Sequence, residues 1–342
     1  MKIVIDRDIP YIRGVFEPYA EVAYLSGRAI APDDVRDAGA LIVRTRTKCD
    51  RALLEGSAVR MIASATIGLD HIARDYCAAA GIEVASAPGS NARGVLQWVA
   101  AALAHASREQ GWAPNDKTLG VVGVGHVGSL VADYAARWGF RVLCCDPPRQ
   151  RAESAAAEFV ALDRIALEAD VITFHTPLTS DGEDATFHLA DAVFFRTVRR
   201  GALILNSSRG EVVDSAAFAD AIERGHCSAC IDTWEHEPAI DRRLLDISLL
   251  ATPHIAGYTA QGKANATSMV VRAVGRRFGW PLGEWYPSGD VTPTVPQPIN
   301  WSELNATIDR YFDIAALTHA LQSHPDDFES MRNNYDYRQE YF

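Results

Sequence analysis

The sequence predicts an α/β protein with two parallel sheets. Short apolar, strand-like segments alternate with helical patterns in two successive blocks, which is typical of parallel strands joined by crossover helices. At 342 residues, the chain is long enough for two domains or slightly more, because domains average roughly 100–200 residues. Apolar residues make up 48% of the chain, so a core of ordinary size can be buried.

The first block contains five strand-like segments, which glycines or polar residues separate: Lys2–Asp6, Val22–Leu25, Ala40–Thr45, Arg60–Ala65 and Ile82–Ala85. A long helical pattern follows from Asn91 to Gln110, where apolar residues recur at helical spacing. Ser90 or Asn91 is a suitable N-cap for that helix. We therefore expect a parallel layer that leads into one long helix.

The second block contains six strand-like segments: Thr118–Val122, Arg141–Cys145, Val171–His175, Ala202–Asn206, Ala229–Asp232 and Leu249–Thr252. Six is the number of strands in a complete dinucleotide-binding sheet. A second long helical pattern covers Ala260 to Phe278. We expect the two long helices to cross between the domains, which would make the first domain discontinuous and leave the active site in the cleft between domains.

The remaining residues divide into a linker and a helical segment. Residues 281–300 hold five prolines, too many for regular structure. Helical patterning resumes from Trp301 to Leu321 and leads into a tail rich in charged and aromatic residues. Because about 40 residues rarely hold a core alone, this segment should pack on the main body or on a second subunit.

Charge and cysteine usage exclude several classes of protein. The formal net charge is −11, which argues against nucleic acid or an anionic membrane as a partner. The chain opens on a strand-like segment and no apolar run approaches the ~18 residues needed to cross a bilayer, so we expect a cytoplasmic protein. The six cysteines are scattered, as in reduced cytosolic proteins. Cys227 and Cys230 form a C-x-x-C without a second ligand pair nearby, so we expect no metal site.

The strongest local motif is G-x-G-x-x-G, which falls at Gly123, Gly125 and Gly128. An apolar strand precedes it and a helical pattern from His126 to Trp138 follows, which is the order found in dinucleotide-binding domains. The first glycine permits a tight turn, the second lets the backbone approach a pyrophosphate, and the third lets the helix pack close to the strand. The start of the helix offers free amides to phosphates.

An acidic residue completes this motif. Asp146 ends the next strand-like segment, 18 residues after Gly128. A carboxylate there accepts hydrogen bonds from ribose hydroxyls and repels a 2′-phosphate, which favours NAD over NADP, although Arg149 lies nearby. The alternative interpretation is a glycine-rich turn with a surface aspartate, and the ordered succession of strand, glycines, helix and acid makes it less favourable.

Three polar residues follow late strands of the second block: Arg209, Glu237 and His254. In an open parallel sheet, ligands bind at this edge. A guanidinium fits a carboxylate in bidentate fashion, and an imidazole can take or give a proton near neutrality. Each residue alone could be a solvated or structural group. Together, beside a dinucleotide motif, they predict an oxidoreductase site.

The order of these motifs resembles that of the D-isomer-specific 2-hydroxyacid dehydrogenases over residues 40–280: Gly-x-Gly-x-x-Gly, Ser-Arg-Gly, Asp-x-x-x-x-Glu-Pro and Pro-His-Ile-Ala-Gly. The resemblance implies that Arg209 binds the substrate carboxylate and carbonyl oxygen, that His254 is the acid/base, and that Glu237 is its partner. It also implies a Rossmann-type NAD-binding domain over residues 93–257 and a discontinuous, flavodoxin-like substrate domain over residues 1–92 and 258–280.

Further segments resemble the erythronate-4-phosphate dehydrogenase branch of that family, which serves pyridoxal phosphate synthesis: Val43–Lys48, Ala65–His71, Ala87–Ala92, Cys145–Arg149, His254–Thr259 and the closing Asn-Asn-Tyr-x-x-Arg-x-Glu pattern. This resemblance implies a phosphorylated 2-hydroxy acid as substrate. It also implies a homodimer formed through a small α+β C-terminal domain within residues 281–342. The chain departs from the branch at His126, Ser208 and Gln97, where asparagine, cysteine and an acidic residue are expected.

The resemblance to the branch also assigns contact residues. Substrate contacts are expected from Thr45, Thr66 and Tyr258. NAD contacts are expected from the glycine-rich turn and from the ends of later strands: Gly123, Gly125, His126, Val127, Gly128, Asp146, Thr176, Ser207, Ser208, Asp232 and Gly257.

A basic stretch follows one strand of the substrate domain: Arg44, Arg46 and Lys48. One interpretation is a solvated edge, since basic edges are common on surfaces. The other is that these three residues form a phosphate clamp across the cleft, which a net-acidic protein would need for a phosphorylated substrate. Two further functions stay open: a related dehydrogenase acting on 3-phosphoglycerate or glycerate, and a non-catalytic NAD(H)-sensing scaffold on the same fold.

Overall fold

The computed structural model describes residues 1–153, 159–289 and 291–342. These residues group into two compact units. The first unit combines Met1–Asn91 with Thr259–Thr294, and the second combines Ala92–Tyr258 with Val295–Phe342. The functional domain boundaries expected at residues 93, 258 and 281 stay a prediction. Within the described ranges, no helix is long and apolar enough to cross a membrane.

The predicted strands and both long helices are confirmed, with several ends shifted. In the described residues, the strands are β1 Lys2–Asp6, β2 Glu21–Leu25, β3 Ala38–Val43, β4 Met61–Ser64, β5 Glu83–Ala85, β6 Thr118–Val122, β7 Arg141–Cys145, β8 Val171–Phe174, β9 Ala202–Asn206, β10 Cys227–Ile231 and β11 Leu250–Ala251. The α-helices are α1 Pro32–Val35, α2 Arg51–Leu54, α3 Arg74–Ala79, α4 Ala92–Gln110, α5 His126–Trp138, α6 Pro147–Ala152, α7 Leu162–Glu168, α8 Ala192–Thr197, α9 Ser215–Glu223, α10 Arg242–Ile247, α11 Ala260–Phe278, α12 Trp301–Tyr311, α13 Ile314–Ser323 and α14 Phe328–Asn333. In the same described residues, 3-10 turns lie at Pro114–Asp116, Gly210–Val212 and Pro325–Asp327.

The first unit is built on a parallel sheet with the strand order β2-β1-β3-β4-β5. This is the flavodoxin-like order that the resemblance implied. Both faces of the sheet are covered, which explains why its central strands are continuous apolar runs. Ile3 and Ile5 of β1 pack toward Val270 of α11 on one face, whereas Val4 packs on the other face among residues of the short helices.

The second unit contains a parallel sheet with the order β11-β10-β9-β8-β6-β7. β6 lies between β7 and β8, so the direction in which the chain adds strands reverses at this point. An isolated bridge between Cys144 and Phe159 extends the sheet outside β7. Such a reversal opens a crevice at the carboxyl ends of the strands, where doubly wound proteins bind nucleotides.

The C-terminal segment differs from the sequence-based expectation. It is helical in the described residues, with no strand in place of the predicted α+β composition. The single helix expected over Trp301–Leu321 is broken at Asp313, whose side chain accepts a hydrogen bond from the Ala316 amide and caps α13. Leu304 and Phe312 join the same apolar cluster as α4. The segment therefore packs on the second unit.

All six cysteines are free. Cys49 and Cys77 lie in the first unit, and the other four lie in the second. Five are buried and Cys144 is partly exposed. Burial raises the pKa of Cys49 and of Cys227 to about 12. Cys227 and Cys230 both lie within β10, where they pack as small apolar residues.

Candidate active site

The glycine-rich turn connects β6 to α5 at the reversal of the second sheet. A Cβ at Gly123 would lie 2.8 Å from the Thr176 amide nitrogen, and one at Gly128 would lie 2.0 Å from the Gly123 carbonyl oxygen. A Cβ at Gly125 would meet nothing within 4 Å. Gly123 and Gly128 therefore permit close packing, whereas Gly125 faces open space. The first amides of α5, at His126 and Val127, have no partner within the helix.

Asp146 follows β7 beside this turn. Its carboxylate accepts hydrogen bonds from the Val124 amide at 2.8 Å and from the Arg149 amide at 3.1 Å. The guanidinium of Arg149 pairs with Glu153 at 2.7 Å and also donates to the Val124 carbonyl of the turn. The acidic side chain is thus fixed at the crevice, and the nearby arginine is held by a different carboxylate.

Two hydroxyls at the ends of neighbouring strands lack a protein partner. Thr176 Oγ1, after β8, and Ser207 Oγ, after β9, are buried without a hydrogen bond. Buried polar groups are normally paired, so unpaired ones at a crevice are suited to a polar ligand. His175 directly follows β8, and burial lowers its pKa to about 3. This neutral imidazole was not predicted from the sequence.

The imidazole of His254 lies against the carboxylate of Glu237. Nδ1 of His254 is 2.9 Å from Oε1 and 2.8 Å from Oε2. Burial opposes ionisation of Glu237, but His254, Arg332 and the Trp234 amide outweigh it and lower the pKa of Glu237. An ionised carboxylate can only accept hydrogen bonds, so Nδ1 of His254 carries the hydrogen. Nε2 is then the nitrogen that exchanges a proton.

Asp232 holds the segment that carries His254. It is 1% exposed, and its carboxylate accepts hydrogen bonds from Thr252 Oγ1 and from the amides of Ile255 and Ala256 at 2.6, 2.8 and 2.9 Å. Burial raises the pKa of Asp232. The Asp232 carboxylate is therefore hydrogen-bonded to groups of the protein itself. A direct contact of Asp232 with NAD stays a prediction, as does that of Gly257.

Arg209 lies in a turn that the side chain of Asn206 stabilises by hydrogen bonds. Asn206 Nδ2 donates to the Arg209 carbonyl at 2.8 Å, and Asn206 Oδ1 accepts from the Ser208 amide and hydroxyl at 3.1 and 2.8 Å. A Cβ at Gly210 would lie 2.0 Å from the Trp234 carbonyl carbon, so the turn packs directly on the segment that leads to Glu237. The Ser208 hydroxyl is already engaged, and its contact with NAD stays a prediction.

An arginine from the C-terminal segment joins this site. Arg332 Nη1 lies 3.1 Å from Glu237 Oε2, and its Nε lies 3.3 Å from the Tyr258 hydroxyl. Sequence reasoning missed Arg332. The only signal was its position directly before the Asn-Asn-Tyr of the closing pattern. That position is part of the resemblance to the branch and indicates no chemical role.

In the first unit, Arg44 follows the carboxyl end of β3. Its Nε lies 2.9 Å from the buried Asp6 carboxylate, and its Nη2 lies 2.9 Å from Asp8. Thr45 and Arg46 are exposed. Arg44 is thus held by two carboxylates, and the phosphate-binding role of this stretch stays a prediction.

Thr66 follows β4 in the same unit. Its hydroxyl lies 2.7 Å from Ser64 Oγ, which in turn lies 3.2 Å from His71 Nε2. Burial lowers the pKa of His71, so the imidazole is neutral at pH 7. This chain of hydrogen bonds orients the Thr66 hydroxyl.

Comparisons with known proteins identify the family of this chain. Residues 91–256 match the family model of the D-isomer specific 2-hydroxyacid dehydrogenase, NAD binding domain. Erythronate-4-phosphate dehydrogenase from Bacteroides fragilis is 45% identical, over 99% of this chain and 97% of the relative. The enzyme of the same name from Porphyromonas gingivalis is 39% identical, over 99% of this chain and 94% of the relative. The chain belongs to the D-isomer-specific 2-hydroxyacid dehydrogenases.

Solved structures share the fold of this dehydrogenase family. D-lactate dehydrogenase from Aquifex aeolicus, complexed with NAD and lactic acid, superposes with a TM-score of 0.69 at 24% identity, over 82% of this chain and 96% of that chain. NAD-bound 3-phosphoglycerate dehydrogenase from Entamoeba histolytica gives a TM-score of 0.69 at 22% identity, over 85% and 99%. At these identities the likeness establishes the fold alone.

Membership of the family confirms the predicted NAD-dependent oxidoreductase. The second unit fits that cofactor in three ways. Gly125 leaves open space where a pyrophosphate would approach. Asp146 supplies an acceptor for ribose hydroxyls. The unpartnered hydroxyls of Thr176 and Ser207 supply polar groups beyond the turn.

Proposed function

We propose that the chain oxidises 4-phospho-D-erythronate to 2-oxo-3-hydroxy-4-phosphobutanoate with NAD, in the synthesis of pyridoxal 5′-phosphate. The observation that carries this proposal is the His254–Glu237 pair, found in a chain 45% identical over nearly its full length to a relative named erythronate-4-phosphate dehydrogenase. Alcohol oxidation needs a base, and this imidazole is held in the tautomer that can act as one.

His254 takes the proton of the substrate C2 hydroxyl on Nε2. Glu237 stabilises the imidazolium that forms, because its ionised carboxylate lies against Nδ1. When bound, NAD would supply the redox chemistry as the acceptor of the C2 hydride, and the protein positions the reactants. In the reverse direction the imidazolium returns the proton to the carbonyl oxygen.

Arg209 binds the substrate carboxylate and the C2 oxygen. A planar guanidinium offers two parallel donors to a carboxylate, which fixes the orientation of the acid. The packing of Gly210 against Trp234 supports this role, because it brings the turn of Arg209 to the segment that carries Glu237. Tyr258, beside His254 in sequence, completes the substrate contacts of this unit.

The first unit supplies the remaining substrate contacts. Arg44, Thr45 and Arg46 bind the 4-phosphate, and the Thr66 hydroxyl binds the sugar-acid chain. Support comes from their common position after β3 and β4, since the carboxyl ends of parallel strands are where ligands bind.

We also infer a cytoplasmic homodimer that assembles through the C-terminal segment. Six free cysteines are consistent with a reducing compartment. Tyr311 of α12 is exposed while it stacks on Tyr341 at 3.9 Å, which gives this segment an aromatic surface suited to an interface. Sedimentation analysis at assay concentrations tests the dimer, and a strictly monomeric active enzyme would contradict it.

The decisive test is NAD reduction across a panel of 2-hydroxy acids. We expect 4-phospho-D-erythronate to give a kcat/KM at least tenfold above D-erythronate, which lacks only the phosphate, and above 3-phosphoglycerate and glycerate. A 2-oxo acid should be present in parallel assays to regenerate NAD from bound NADH. Equal rates with and without the 4-phosphate would contradict the proposed substrate, and absence of turnover with every acid would contradict the reaction.

A further inference from the structure

A charged group from α14 reaches the His254–Glu237 pair. Arg332 Nη1 lies 3.1 Å from Oε2 of Glu237, and the same oxygen lies 2.8 Å from His254 Nδ1. Arg332 Nε lies 3.3 Å from the Tyr258 hydroxyl. One carboxylate oxygen is therefore shared between an imidazole and a guanidinium, and the guanidinium is shared between Glu237 and Tyr258.

This bridge is partly shielded from solvent. The exposed fraction of the side chain is 27% for Arg332 and 17% for Glu237. Burial opposes the charge of Arg332, but Tyr258 and Glu237 outweigh it and raise the pKa of Arg332. Ion pairs on an open surface contribute little because water and salt screen them. Partial burial weakens that screening, so the position of Arg332 affects both of its partners.

A second arginine of the same segment fixes the backbone after His254. Arg338 is 8% exposed and donates to the carbonyls of Ile255 at 3.1 Å and Tyr258 at 3.3 Å. It also donates to the carbonyl of Ala256. These bonds connect the loop that carries Tyr258 to the tail that follows α14, the helix that carries Arg332.

We propose that Arg332 is a positioning residue of the catalytic set, which orients the Glu237 carboxylate on His254 and holds the Tyr258 hydroxyl in place. The inference rests on the proposed acid/base role of His254. It assigns two effects to one guanidinium. The fork geometry holds two partners, and the positive charge opposes formation of the imidazolium, which favours the neutral base needed for alcohol oxidation.

Several charged or titratable groups surround His254. Glu237 faces Nδ1 from the segment after β10, and Asp232 lies at the end of β10 beneath the His254 backbone. Tyr258 belongs to the same loop, Arg332 approaches from α14, and the proposed set adds Arg209 from the turn after β9. Replacement of Arg332 changes the charge on the α14 side and leaves the residue types of the other groups unchanged.

The test follows the imidazole of His254 directly by NMR. The NADH complex is prepared with ¹⁵N-labelled histidine, and the signal of His254 is assigned by its loss in His254→Gln. Arg332→Gln should raise the titration midpoint of that signal by roughly half a pH unit or more, since a neighbouring positive charge is lost. Arg332→Lys keeps the charge and should leave the midpoint in place. Arg310→Gln, at an exposed position of α12, is the matched control.

Kinetics separate geometry from charge. The acid limb of kcat/KM for hydroxy-acid oxidation should move to higher pH in Arg332→Gln and stay in place in Arg332→Lys. The lysine variant should still lose kcat several-fold, because an ammonium cannot bridge Glu237 and Tyr258 as a fork does. A purely structural arginine would lower stability and activity without moving the limb.

Two outcomes overturn the inference: an unchanged His254 midpoint in folded Arg332→Gln, or wild-type kcat in Arg332→Lys. If Arg332→Gln does not fold, Arg332→Lys tests the inference instead. A reduced kcat with an unchanged His254 midpoint in this variant would then support it. Failure of the proposed function has a separate signature. Wild-type protein would then turn over no phosphorylated acid, whereas the NMR midpoints would still decide the role of Arg332.

Discussion

The carboxyl edges of the two parallel sheets carry polar residues in different states. In the second unit, Glu237 and Asp232 are surrounded by protein donors that hold them in one arrangement. In the first unit, Thr45 and Arg46 are exposed, and Arg44 is held by two aspartates. Proton transfer requires atoms placed to a fraction of an ångström, whereas attraction of a phosphate acts over longer distances. The comparison indicates that the His254–Glu237 pair is preassembled, whereas the residues proposed to bind a phosphate need less exact placement.

The strongest test of this difference removes the imidazole. His254→Ala should lower kcat by about a thousandfold, because general acid–base catalysis contributes roughly 10²–10⁴-fold. NADH affinity, measured by fluorescence titration, should stay near wild type. His319→Ala, at an exposed position of α13, is the control. A kcat near normal in His254→Ala would remove the proposed acid/base from the mechanism.

A second test asks whether the charge of Glu237 stabilises the second unit. The pKa of Glu237 is lower in the folded chain than its ordinary value. Its ionised form therefore stabilises the fold above pH ~4.5, and this contribution is lost as the pH falls through the lowered folded-state pKa. Glu237→Gln should reduce the free energy of unfolding by about 2 kcal/mol at pH 7, since it leaves Arg332 without its anionic partner.

The measurement is urea denaturation of both proteins from pH 7 to pH 3.5. The gap between wild type and Glu237→Gln should be constant down to about pH 5 and should narrow below it. A gap that stays the same across the whole range would mean that the Glu237 charge does not stabilise the second unit.

The first unit is tested by two substitutions with opposite effects. Arg44→Ala should raise KM for a phosphorylated acid about tenfold, which corresponds to roughly 1.4 kcal/mol of lost binding. Asp8→Asn should lower the same KM a few-fold, because it frees Arg44 from one competing carboxylate. Arg36→Ala, which removes an exposed arginine paired with Asp33, is the control. Equal changes in KM for unphosphorylated acids would count against the clamp.

The smallest effect is expected at the ribose contact. Asp146→Asn removes the charge that we expect to repel a 2′-phosphate and keeps one of the two oxygens that accept from the Val124 and Arg149 amides. The preference for NAD over NADP, measured as a ratio of kcat/KM values, should fall several-fold. Asp146→Ala should show the same change together with lower stability, since it also removes the cap of α6. An unchanged ratio in both variants would place the ribose elsewhere.

The strands and long helices were predictable because each depends on a local pattern of buried residues. β1 and α11, for example, have the predicted ends. The break between α12 and α13 was not recognised, although Asp313 is a suitable N-cap, because apolar residues keep helical spacing on both sides of it. The α+β composition of the C-terminal segment was inferred from resemblance, and no periodicity supported it.

The site residues also divide into those that a local sequence pattern predicts and those that depend on the packing of separate elements. Glu237 and His254 were predictable because each follows a strand that has a clear pattern. The pairing of Arg332 with Glu237 joins residues 95 positions apart, and that of Arg44 with Asp6 joins residues 38 positions apart. Such contacts depend on how separate elements pack, and no local pattern in the chain encodes them. The neutral His175 was missed for the same reason.

The buried thiols make each unit a reporter of its own opening. Thiolate is the form that alkylating reagents attack, and burial keeps Cys49 in one unit and Cys227 in the other protonated and covered. A reagent therefore labels them only during transient unfolding. Pulse labelling followed by peptide mass spectrometry would give two opening rates from one unmodified protein, and a substrate analogue that slowed one rate alone would reveal which unit it stabilises.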